Sequence, residues 1–113
     1  MKKVIVFLTA VVMALTACTK SGADTSFTPD CATPKSYAAD VSPILQVSCN
    51  TVGCHASGSH EGPGALVTYQ QVYNNRSGIR KSVANGSMPE GSTLTAAEKN
   101  AIICWIDNGA ANN

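Results

Sequence analysis

The sequence predicts a small all-α domain built from short helices. Three observations carry this. A capping box, Thr95-Ala96-Ala97-Glu98, opens an apolar stripe that stops at Gly109. A proline-started apolar run, Pro43 to Val47, leads directly into a loop with two cysteines and a histidine. No segment reads convincingly as a strand. The 113 residues hold five cysteines and few aromatic side chains, and a single domain this small needs staples beyond its aliphatic core.

Taken from the N-terminus, Lys2 and Lys3 precede the apolar run Val4 to Leu15, which is shorter than the roughly 20 residues that span a bilayer. A basic start, a short apolar stretch and small residues mark a secretory signal over residues 1–17. Leu15-Thr16-Ala17-Cys18 resembles the lipobox of bacterial lipoproteins, in which the cysteine is lipidated and begins the mature chain. An ordinary signal with an incidental Cys18 is the alternative. The expectation is an exported protein on the periplasmic or cell-surface side, lipid-anchored to a bacterial membrane. Residues 18–36 hold Ser, Gly, Thr, Asp and Pro with Phe27 as the one large apolar side chain, which reads as a lipidated flexible tether. Without Lys2 and Lys3, six basic residues face seven acidic ones and the net charge falls from +1 to −1. That balance gives no electrostatic reason to bind nucleic acid.

The domain then occupies 37–113. Asp40 or Ser42 caps a helix with Pro43 in its first turn, running to Cys49. Thr68 starts a second helix through Tyr69, Val72 and Tyr73, and a third covers about Ser77 to Val83. In the last helix Ala101, Ile102, Trp105 and Ile106 form one apolar face, with Trp105 read as a helix–helix contact.

The loop after the first helix, Cys49-Asn50-Thr51-Val52-Gly53-Cys54-His55, is a C-x4-C-H segment. It expands by two residues the C-x-x-C-H pattern of covalent haem attachment, in which two thiols form thioethers and the histidine binds iron. Residues i and i+5 of a regular helix lie about 140° apart, so the segment has to leave the helix; Asn50 and Gly53 tolerate the left-handed backbone this needs. Two other fates are open to these groups: a Cys49–Cys54 disulfide, or zinc held by Cys49, Cys54, His55 and His60. With Cys18 assigned to lipid and Cys49 and Cys54 to haem, Cys31 and Cys104 remain as a disulfide pair. A second iron ligand is expected from Met88, in the turn-rich segment Asn85-Gly86-Ser87-Met88-Pro89-Glu90-Gly91; a thioether ligand raises the iron potential. A methionine filling a core gap is the alternative, and His60, inside a Ser/Gly/Pro loop, is the rival ligand.

The segments Asp40 to Leu45, Cys49 to His55, Gly86-Ser87-Met88-Pro89 and Leu94 to Ala110 recur in that order in small single-haem cytochrome c domains. The chain resembles that family over about residues 38–111. The resemblance implies a small cytochrome c-like fold with short helices packed around one covalent haem c. It also implies thioethers at Cys49 and Cys54 and axial ligation by His55 and Met88. The four-residue spacer departs from the commonest pattern. The function it implies is electron transfer rather than enzymatic catalysis, with separate redox partner proteins and a membrane reached through the N-terminal lipid. A haem-based sensor or peroxidase-like domain with a labile sixth ligand, and a haem-free, disulfide-held interaction lipoprotein, are the other classes open to the sequence.

Overall fold

A computed structural model describes residues 26–113; the expected signal segment, Cys18 and the first part of the expected tether lie outside the described residues. A π-helical turn, Tyr37–Val41, runs without a break into α1, Ser42–Ser48. After a long loop come α2, Tyr69–Asn74, and α3, Arg76–Ala84, separated by the single residue Asn75; α4, Ala96–Asp107, closes the fold. No strand occurs among the described residues.

The π-helical turn, α2 and α4 each begin at a side chain that satisfies an early amide. The first starts earlier than Asp40 or Ser42, the two caps expected from sequence. Ser36 is the cap: its hydroxyl accepts from Ala39 N at 3.1 Å, and the Asp40 carboxylate reaches back to accept from Ser36 N at 2.8 Å. Asp40 thus supports the cap from within the turn. Pro43 lies in the first turn of α1, directly after the π-helical turn, and has no N–H to donate back into that turn. Thr68 and Gln71 form a reciprocal capping box on α2, and Thr95 and Glu98 form another on α4.

Val41 and Leu45, one turn apart, are buried against Leu66, Val72, Val83, Leu94, Ile102 and Ile103. The apolar face of α4 is wider than its periodicity indicates: Ala101 to Trp105 are all buried in succession. The reason is a strap, residues 27–31, covering the side that an amphipathic helix would leave to solvent. Phe27 packs on the core and its N–H donates to Ala84 O at 3.1 Å. Asp30 N donates to Asn100 Oδ1 at 2.9 Å, and Cys31 is disulfide-bonded to Cys104. Part of the stretch read from sequence as tether is therefore packed on the domain.

On another side of α4, Trp105 meets the rings of Tyr37 and Tyr69 at centroid separations of 5.3 and 6.3 Å. Its indole N–H donates to Ala111 O, and Tyr69 OH donates to Ala110 O, each at 2.8 Å. These bonds hold Ala110 fully buried in the left-handed region at φ +53°. Gly109 makes the left-handed helix stop just before it, at φ +102°.

Arg80 on α3 forms a two-pronged ion pair with Asp107 at the end of α4, at 2.6 and 2.8 Å. The guanidinium hydrogen bonds hold the Asp107 carboxyl below its ordinary range. A carboxyl with a lowered folded pKa stabilises the fold above its ordinary titration range, and that stability is lost as the pH falls through the lowered value. Both side chains are about two-fifths to one-third exposed, so solvent limits the gain to about 1 kcal/mol or less. Asp107→Asn is expected to unfold earlier than the native chain at neutral pH. In strong acid the two denaturant curves should coincide, and a difference that persists there would mean that Asp107 acts by packing.

Candidate functional site

Helix α1 ends at Ser48, and the turn that follows builds the centre of the site. Cys49 N and Asn50 N both donate to Leu45 O at 2.9 Å, and Cys54 N donates to Thr51 O at 3.0 Å. The left-handed step falls on Gly53, at φ +83°. His55 N then donates to Cys49 O at 3.0 Å, which folds the histidine back beside the first cysteine. The two thiols are not joined to each other; Cys49 is half-buried and Cys54 exposed. Burial pushes the Cys49 thiol up, and the neighbouring Cys54 adds to the effect.

Among the described residues, His55 is the one buried polar or charged residue, 7 % exposed. Its ring Nδ1 lies 2.8 Å from Gly64 O. A carbonyl can only accept, so Nδ1 is the donor; in the neutral form of the ring the lone pair then falls on Nε2. The backbone around the ring is held as well, since Leu66 N donates to His55 O at 2.9 Å. The loop between His55 and Gly64 closes on itself: the Ser59 hydroxyl donates to Cys54 O, and Gly64 N donates to Glu61 O. Gly64 sits at φ +83°, and a Cβ there would meet Ser59 O at 3.3 Å. Any larger residue would strain the carbonyl that orients the ring.

Met88 is half-buried in the segment linking α3 to α4. Gly86, at φ +75°, turns the chain back, Met88 N donates to Ser82 O at 3.2 Å, and the Met88–Pro89 bond is cis.

Two clefts, of about 290 and 560 Å³, meet at this point. The smaller is walled by Leu45, Leu66, Ile79, Val83 and Leu94; the larger opens past Val47, Cys54, Glu61 and Glu90. Four residues line both: Cys49, His55, Met88 and Pro89. The structure therefore brings together the four cofactor residues singled out from sequence, Cys49, Cys54, His55 and Met88, around the larger cleft. His60 is exposed and lines neither cleft. Among the described residues no three His, Cys, Asp or Glu side chains converge as ligands for an ion.

The residues suit a flat apolar group held by two thioethers and an imidazole. The smaller cleft has an aliphatic wall flanked by polar residues such as Asn74 and Ser77, the larger holds both free thiols, and the buried imidazole lines both with Nδ1 already hydrogen-bonded. Sequence reasoning did not find Gly64 as the partner of His55. The glycines of the loop mark turns, but no local pattern shows which carbonyl the ring will meet. Comparison of the chain with protein-family models, with curated proteins and with solved structures returned no match.

Proposed function

We propose that this chain is a lipid-anchored, single-haem electron-transfer protein with a cytochrome c-like fold. The observation that carries the reading is the buried His55, oriented by Gly64 O and lining the same clefts as Cys49 and Met88. Cys49 and Cys54 would hold the group through thioethers, and His55 and Met88 would ligate its iron. Bound there, haem supplies a reversible one-electron couple. The Gly64 hydrogen bond fixes the imidazole tautomer and raises its basicity toward a metal. Leu45, Leu66, Ile79, Val83 and Leu94 exclude water, which limits the solvent rearrangement that accompanies a change of charge. Exposed Cys54 lines the larger cleft, so this part of the site is accessible to a redox partner. Lipid on Cys18 would keep the domain at an exported membrane face, to meet separate redox partners.

The test is production of the full chain in a bacterial host with a c-type maturation system. Expected are haem staining on a denaturing gel, low-spin bands on reduction, and recovery in the membrane fraction that Cys18→Ser abolishes. A weak near-infrared sulfur-to-iron band should vanish in Met88→Ala. Ready binding of carbon monoxide by the native reduced protein would replace the electron carrier with a sensor or peroxidase-like domain. Absence of haem after proper maturation would end the cytochrome reading.

A further inference from the structure

The mouth of the larger cleft has a chemical character of its own. Val47 is 78 % exposed and Val52 96 %. They are the two most exposed large hydrophobic side chains among the described residues, and Val47 lines this cleft. Val52 stands between Thr51 and Gly53, which line it too. Isolated exposed valines are ordinary, but Val47 in the cleft lining and Val52 between two lining residues put apolar surface beside one opening. Around this patch the charge has one sign. Glu61, from the loop after His55, and Glu90, from the loop after Met88, both line the cleft and are exposed. Neither joins an ion pair among the described residues, and no Lys or Arg lines either cleft. Three of the cations are engaged elsewhere: Arg80 with Asp107, Arg76 over the Tyr73 ring, and Lys99 beside Phe27.

We propose that this mouth is the docking face for a protein partner that presents an apolar centre rimmed by lysine or arginine. The proposal rests on the electron-transfer reading and names the partner's chemistry. An acidic rim steers a basic surface into register, while Val47 and Val52 supply the dry contact at the centre. The other occupants are disfavoured by the same charges. A second copy of this chain in the same face would set Glu61 and Glu90 against their counterparts, and an anionic lipid surface would be repelled.

Two probes test it on the matured full chain. The redox-inert, paramagnetic tris(1,10-phenanthroline)chromium(III), a trication with apolar flanks, should broaden the amide signals of Val47, Val52, Glu61 and Glu90 first. Glu61→Gln with Glu90→Gln should remove that selectivity, whereas Asp30→Asn with Asp107→Asn, the same change of charge elsewhere, should leave it. The corresponding cobalt(III) complex should oxidise the reduced protein at a rate that falls with added salt. The Glu61/Glu90 double variant should lower that rate several-fold at low salt. Selective broadening of these amides in a chain that carries no haem would uphold the docking face while the electron-transfer reading fails. Broadening centred elsewhere, or equal in both double variants, overturns the docking face even where haem is bound.

Discussion

Replacing both Cys49 and Cys54 by serine is expected to abolish covalent haem, with no stained band after passage through the same maturation system as the native chain. Each single variant should keep one thioether and a fraction of the native haem content. The expected loss extends to stability, because the cleft is walled by Leu45, Leu66, Ile79, Val83 and Leu94. Left without a bound group, those side chains lose the contacts it would make, and the fold loses the stabilisation that a ligand of the native state adds. His55→Ala should add a distinct signature: haem attached by the cysteines but high-spin, since the thioethers would survive without the imidazole. The comparison is read from haem staining, the reduced spectrum and the thermal midpoint together. Native haem content in the double-serine variant would sink the proposed attachment. An unchanged spectrum in His55→Ala would remove the histidine from the iron.

The second large effect is expected at the disulfide. Cys31 and Cys104 are 73 residues apart in sequence. Closing a loop of that length stabilises the fold by roughly 4 kcal/mol in the chain-entropy account, a large part of the 5–15 kcal/mol typical of a domain. Cys31→Ser with Cys104→Ser should therefore lower the thermal midpoint by roughly 15 °C or more. The strap should also loosen, because its remaining holds are the Phe27 contact and the hydrogen bonds of Phe27 and Asp30. Amide exchange at Phe27 would report this directly. A midpoint shift of only a degree or two would place the strap's stability in those contacts and not in the covalent link.

Much of this arrangement is legible residue by residue. Thr95 and Glu98 announce α4 because both halves of a capping box lie within four residues. Thr68 announces α2 and Gly109 the end of α4 for similar local reasons. The Cys31–Cys104 pair follows from accounting for thiols in a chain read as exported, and the structure joins it. What stayed hidden depends on encounters between distant segments. The burial of Ile103 and Cys104 comes from the strap, some 70 residues away in sequence. Ser36 outcompetes Ser42 as the first cap because Asp40 can return a hydrogen bond to it. The partner of His55 is a backbone carbonyl, which carries no side-chain signature at all.

The strap also decides how the domain bears load. Tension applied from the N-terminal side reaches the fold at Phe27 and Asp30, whose bonds to Ala84 and Asn100 can yield. It then passes at Cys31 through a covalent bond into the middle of α4. The π-helical turn, α1 and the Cys49–His55 turn lie beyond that junction and are shielded from the pull. Under such a load the strap would give before the cleft is disturbed.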